Sequence, residues 1–439
     1  MANGQFNASG DGSARYPFFV EDVADLNAIR FIADKGYYFK QQADLDLQGL
    51  NWIPIENFNG NYDGNGFSIN NLYIYYENSS NEVNVDTDNF FIGLFGSIYG
   101  SNSNSPVYLK NIVIVDAEIV VGSGTGTLLV GSGIGILAGH AEYIEASKCS
   151  VTGTIKLNNI TSEATKIRTS IYTPWCISDS GYVPPVAGGT GTGAFSATSC
   201  GGMFGEVWFG SYLSECCAEV DIRGSVTLTD GFSVAGLVGG ARSYVRYTNC
   251  YTFANIHVDV KISYTSYVFS DYVYHLSGIG GHHRYASLEN LEYDLINCYS
   301  VSSLTYNFKT YRSYAGVENK LGAVFRVAPT LNNSGYPLLT NAYHEGTLSD
   351  YYYHFYNANG TFNRTGNPLY TTPGTSMYGK TRELMKKQST FVDWDFNTVW
   401  QINEDKDYPR FRWQPIKYIV ECIATTLPIP IQQMTVRRR

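Results

Sequence analysis

Carboxylates, histidines and tyrosines are the residues of this chain with chemistry to offer, and their spacing decides which kind. Asp221, Asp230, Asp259 and Asp271 are available as the two acids of glycoside hydrolysis, in which one carboxyl gives a proton while the other acts ionised. Acids recur all along the chain, however, and nothing in their order pairs any two of them. His282 and His283 sit in Gly280-Gly-His-His-Arg284. Adjacent residues of a strand face opposite ways, so these two do not converge on one ion. The chain has no Cys-x-x-Cys pair, P-loop, Gly-x-Ser-x-Gly or His-Glu-x-x-His. These residues predict no catalytic centre, no metal and no cofactor, and therefore a protein that is not an enzyme.

Aromatic rings are the stronger lead, because the chain holds 36 Tyr and 23 Phe. Tyr264, Tyr267, Tyr272 and Tyr274 crowd one segment, and Tyr351, Tyr352, Tyr353 and Tyr356 another. Trp175 lies in a third, near the glycine-rich run 188–193. Amphipathic rings on surface loops stack on sugars or anchor protein interfaces, so these nine residues are the candidate binding surface.

Two recurring phrases describe the scaffold that must carry them. Gly93-Leu-Phe-Gly96 returns as Gly135-Ile-Leu-Ala-Gly139, Gly202-Met-Phe-Gly205 and Gly236-Leu-Val-Gly239, with a weaker copy at Gly322-Ala-Val-Phe325. Downstream come Ser147-Lys-Cys-Ser-Val151, Ser214-Glu-Cys-Cys-Ala218, Thr248-Asn-Cys-Tyr-Thr252, Ile296-Asn-Cys-Tyr-Ser300 and Thr340-Asn-Ala-Tyr-His344. From 135 to 202 to 236 the glycine phrase steps by 67 and 34, and from 149 to 216 to 250 the cysteine phrase takes the same steps. Whole units repeat, with insertions between the paired phrases. Their short apolar and β-branched runs, bounded by Gly, Asn, Ser and Thr, read as brief strands. Stacked units of this kind predict a β-solenoid with coils about 4.8 Å apart, two coils to each repeat. Leu94, Phe95, Ile136, Leu137, Met203, Phe204, Leu237 and Val238 should line its interior, one central residue of each glycine phrase more than the other. Cys149, Cys216, Cys250 and Cys298 fall at one place in the repeat, which predicts a stack of buried free thiols.

The sequence resembles the GLUG-repeat proteins. The likeness rests on the Gly-Leu-Phe-Gly and Asn-Cys-Tyr phrases, on the opening run 43–74 and on Trp394-Asp-Phe396 through Tyr408–Trp413, and it covers about residues 13 to 413. It implies an all-β fold, a right-handed parallel β-helix with an N-terminal helical cap and a C-terminal cap. Such folds serve in adhesins, virion fibres and glycan-cleaving enzymes alike. The organisation expected is a segment 1–39 with a capping helix over Glu21–Asp34, then the β-helix over 40–345 with insertions at 157–200 and 261–277. A capping region over 346–417 follows, and last an arm over 418–439. In that arm Ile419, Val420, Ile423, Leu427, Ile429 and Ile431 form an apolar strand beyond the cap, suited to attachment to another chain or to homo-oligomer formation.

The net charge of −9 argues against a nucleic-acid partner. No apolar stretch reaches eighteen residues, which excludes a membrane-spanning helix. The opening ten residues have neither a basic start nor an apolar run, so the expectation is assembly in a host cytoplasm. The combined expectation is a non-enzymatic binding protein of a bacteriophage virion, of fibre or capsid-decoration type, that touches host-surface glycan or protein. A tailspike-like glycan-degrading enzyme and a bacterial adhesin are the alternatives.

Overall fold

The computed structural model describes residues 9–77, 91–122, 133–162, 198–228, 232–242, 244–262, 274–282, 293–310, 319–325, 338–346, 351–356, 362–366 and 377–414. The chain divides into two compact units, Met1–Arg382 and Glu383–Arg439. Unit 1 is mostly β, with long sheets of parallel strands. Four sheets, here A to D, are visited in fixed rotation between Phe91–Ile92 and Asn319–Phe325. One circuit runs through Ile144–Ser147 in sheet A, Ser150–Ser162 in B, Thr198–Gly201 in C and Phe204–Trp208 in D. The next strand, Ser211–Ser214, returns to sheet A and pairs in parallel with Ile144–Ser147. Sheets A, B, C and D reach nine, ten, eight and five strands in this way. Sheet C ends antiparallel, where Tyr351–Tyr356 and Phe362–Gly366 fold back on Asn319–Phe325.

Each repeat is therefore one circuit, not the two coils expected. The 34-residue step holds four short strands because the corners between them are so tight. Sheet A hands over to sheet B through two residues in each of four circuits: Lys148-Cys149, Glu215-Cys216, Asn249-Cys250 and Asn297-Cys298. The first residue of each pair is left-handed, with φ between 51° and 54°. Asparagine tolerates that conformation better than most side chains, which accounts for half of these positions. The second residue turns inward. All four cysteines are fully buried and free. Each thiol lies 3.5 to 3.7 Å from a carbonyl of the preceding circuit, at Leu109, Ala146, Leu213 and Tyr247.

The glycine phrase makes the corner between sheets C and D. Both central residues are fully buried in the four copies whose side chains are described, from Leu94 and Phe95 to Leu237 and Val238, so the expected difference between them is absent there. The pair straddles a corner rather than lying along one strand, and strict alternation does not apply there. The second glycine is needed for close approach. A Cβ on Gly139 would lie 2.4 Å from the Ile92 amide nitrogen, and one on Gly205 2.3 Å from that of Ile134. The backbone of sheet C thus rests directly on a glycine row of sheet D.

Connections from sheet B to sheet C differ widely in length, from residues 229–231 to residues 163–197. The strands that precede the two expected insertions run on to Ser162 and Ile262, so those insertions begin later than 157 and 261. At the start of the unit, helix Val23–Ala28 is capped by the Asp22 carboxylate, which accepts from the Asp25 amide at 2.9 Å. Two 3-10 turns continue it, and Leu26, Ile29 and Ala33 are its buried residues. Unit 2 contains the 3-10 turns Leu384–Lys386 and Gln388–Thr390 and the antiparallel pair Trp400–Gln401 with Arg410–Phe411. Its core is an aromatic cluster in which Trp400 lies 4.5 Å from Trp394 and 4.6 Å from Phe411, centre to centre.

Candidate functional site

The aromatic residues singled out from the sequence lie outside what the structure describes. Trp175, Tyr264, Tyr267 and Tyr272 fall outside the described residues, as do His283, Asp230, Asp271 and the whole arm from Ile419 to Ile431. Tyr274, His282, Tyr351, Tyr352, Tyr353 and Tyr356 lie in strands whose side chains are not described. Of the acids considered for catalysis, Asp221 faces Asn255 across sheet B, while Asp259 faces Ser225, four positions further along. Asp221 is bound to Arg223. These two acids do not form a pair.

What the circuits do bring together is a cluster on the outer side of sheet D that no stretch of sequence announces. Ser97, His140 and Glu206 are neighbours in register, and so are Tyr99, Glu142 and Trp208 one step along. His140 is 3 % exposed, with Nε2 at 3.0 Å from Glu142 and Nδ1 at 3.3 Å from Glu206. Phe91 stacks on its ring at 4.6 Å and Trp208 meets it edge-on at 4.9 Å. Burial alone would lower the imidazole pKa, but the two carboxylates more than reverse this and raise it to about 9. At neutral pH the ring is therefore an imidazolium held between two glutamates. Glu56 adds a third acid. Its residue is exposed overall, yet its carboxyl end packs over Gly96 and accepts from the Ser97 hydroxyl at 2.7 Å. Burial of that carboxyl raises its pKa, partly offset by the bond from Ser97 and the charge of His140.

The two imidazole nitrogens are occupied on opposite edges of the ring, so the glutamates do not converge on a common point. Among the described residues no His, Cys, Asp or Glu group is arranged to hold a metal ion. The arrangement instead ties the circuit of His140 to the one that follows it.

Trp208 links this cluster to a part-exposed aromatic ridge. The corner from sheet D to sheet A holds Tyr143, Phe209 and Tyr244 in three successive circuits, all left-handed with φ of 49°, 47° and 62°, although Gly210 rather than Phe209 stands in the sheet A register of Tyr143 and Tyr244. Tyr143 and Phe209 stack at 5.6 Å with their planes 22° apart. Beside this ladder runs the outward row of sheet A, in which Tyr108, Glu145, Tyr212, Arg246 and Asp294 stand in register on successive strands. The Arg246 guanidinium lies 5.6 Å from the Tyr212 ring and 5.7 Å from the Tyr244 ring, and its Nε donates to Asp294 at 3.0 Å. A third row, with Ser147, Ser214 and Thr248, supplies hydroxyls two positions further along the same strands. The ridge was missed because its members are far apart in sequence. Their signal is an offset: the corner ring precedes the repeat cysteine by six or seven residues, and the outward row precedes it by four.

No protein-family model matches the sequence. A candidate Gly-rich membrane protein of Evansella cellulosilytica is 31 % identical over 139 residues, which cover 29 % of this chain and 15 % of that protein. Halomucin of Haloquadratum walsbyi is 28 % identical over 130 residues, covering 27 % of this chain and 1 % of its own length. The chain thus spans only a small part of either relative. Among solved structures, a candidate immunoglobulin A1 protease from Bacteroides ovatus superposes with a TM-score of 0.55 at 15 % identity, over 92 % of this chain and 95 % of that one. That likeness is one of fold. It corrects the expectation of a protein that is not an enzyme, because a chain sharing this fold almost end to end carries a protease name. The lack of familiar motifs had been the ground for that expectation, and such a lack does not exclude catalysis on this scaffold.

Proposed function

We propose that unit 1 is a right-handed parallel β-helix displayed at a surface, and that its ridge between sheets D and A engages glycan. The parallel pairing through sheets A, B and D, and through sheet C as far as Asn319–Phe325, with the rotation of the chain among them, supports the β-helix. Surface display draws support from the partial sequence likeness to halomucin and to a candidate membrane protein, whereas the virion placement draws none from these relatives. No helix among the described residues is long and apolar enough to cross a membrane.

The observation that carries the glycan reading is the corner ladder. Tyr143, Phe209 and Tyr244 occupy left-handed positions where Gly or Asn would avoid strain, and each such residue costs about 1–2 kcal/mol. Rings kept there, part-exposed and with Tyr143 stacked on Phe209, form a platform rather than a core. A sugar presents an apolar face to such rings and hydroxyls to their surroundings, which here are Glu145, Asp294 and the Ser147–Ser214–Thr248 row. A nucleic acid would meet the overall charge of −9 instead.

The test is a glycan array probed with the purified full-length chain and with a Phe209→Ala, Tyr212→Ala double variant. Binding to at least one saccharide class, weakened about tenfold or more in the variant, is expected. Failure to retain any saccharide, or equal binding by the variant, overturns the reading.

A further inference from the structure

We infer that the ligand of this ridge is a linear, uncharged, extended glycan lying along the stacking direction of the strands, with sugars seated on Tyr108 and Tyr212. The inference rests on the glycan reading above and specifies the substrate class. Three rows run side by side along the same axis: the corner rings, the outward row of sheet A, and the hydroxyl row. None of the sheet A pairings that carry them shows a register shift. The surface is therefore straight over these circuits, and a straight polymer follows it better than a coiled or branched one.

Spacing gives the second argument. Tyr108 and Tyr212 stand on strands two apart, so their Cα atoms are separated by about 10 Å. In an extended β-linked chain alternate sugars present the same face, and the repeat of two sugars spans a similar distance. Tyr108 is 42 % exposed and its ring is open to a ligand, whereas Tyr212 is part-exposed with the Arg246 guanidinium 5.6 Å from its ring centre, so a sugar seated there also meets Arg246. The strand between them contributes Glu145, set to accept from the hydroxyls of the intervening sugar.

Charge decides against a polyanion. Arg246 is committed to Asp294, and Lys110 lies 3.6 Å from Asp63 at the margin of the row. Glu145 stands between the two tyrosines. A uronate or sulfate chain on this row would set its charges against Glu145 with Arg246 already paired and only Lys110 and the exposed Lys148, at the hydroxyl row, to offset them, whereas a neutral chain meets no such penalty.

The experiment is titration calorimetry of the full chain with β-1,4-linked xylose and glucose oligomers of increasing length, with amylose and polygalacturonate as contrasts. Affinity should rise from the disaccharide to the hexasaccharide and then level off. Polygalacturonate and amylose should bind at least about tenfold more weakly. Tyr108→Ala should weaken hexasaccharide binding about tenfold and flatten the rise of affinity with oligomer length. Equal affinity at all lengths, tighter binding of polygalacturonate or amylose, or a Tyr108→Ala variant that binds hexasaccharide normally would each overturn this inference. Each of those outcomes still leaves a protein that binds sugar, whereas retention of no saccharide at all is the separate failure of the glycan reading itself.

Discussion

Replacing His140 with glutamine should remove a stabilisation that depends on pH in a defined sense. The imidazole pKa is raised from 6.5 to about 9 in the folded chain, because two glutamates hold the charged form against the effect of burial. That rise is equivalent to about 3 kcal/mol. Since the folded pKa is the higher one, the contribution is complete below about 6.5 and disappears as pH climbs through about 9. His140→Gln should therefore weaken the structure by about 3 kcal/mol at pH 6, and the gap between variant and wild type should narrow towards pH 10. A stack of circuits need not unfold in one step, so a local probe is the appropriate assay. Amide hydrogen exchange in the strand Ala138–Glu142 reports the opening of this circuit, and subtracting the variant from wild type at each pH removes other titrations. A gap that stays constant between pH 6 and pH 10, or an imidazole NMR titration near 6.5 in the native protein, would refute the reasoning.

Gly205→Ala should lower the melting temperature, at a cost of about 1–3 kcal/mol, because the new methyl would sit 2.3 Å from the Ile134 amide nitrogen with no side chain able to yield. Asn249→Ala should cost about 1 kcal/mol through its left-handed φ of 52° while Asn249→Gly stays near neutral, which urea unfolding of the two variants would check. Cys149, Cys216 and Cys250 have thiol pKa values pushed well above the usual range, chiefly by burial, so a thiol reagent at pH 8 should leave them untouched until denaturant is added. Rapid labelling in native buffer would falsify that placement.

The repeat was legible because each phrase has one physical cause. Asparagine before cysteine reports a left-handed corner followed by an inward turn, and the second glycine reports one backbone lying on another. Equal steps of the two phrases then fix the stacking order. The number of strands in a circuit was not legible, since a corner of two residues leaves no loop to count. Burial of both Phe204 and Met203 was hidden for the same reason: a corner breaks the alternation by which one residue is read as in and the next as out. His140, Glu142 and Glu206 meet only because Ala138–Glu142 and Phe204–Trp208 pair in register, with the whole of sheet B's longest connection between them in sequence. Tyr143, Phe209 and Tyr244 resemble stray aromatics until the circuits are aligned on their cysteines.

The contrast between the corners has an evolutionary consequence. From A to B the chain permits two residues in four circuits, whereas from B to C it spans as few as three and as many as thirty-five. Closing a longer loop costs little extra entropy once the flanking strands are fixed by their neighbours. A lineage carrying this architecture can therefore lengthen, exchange or delete the material at one corner, circuit by circuit, without retuning any strand register. The A-to-B corner acts as the fixed hinge of a mould, while the D-to-A corner, one residue long at Tyr143 and seven long at 100–106, offers a second seam along which novelty can accumulate.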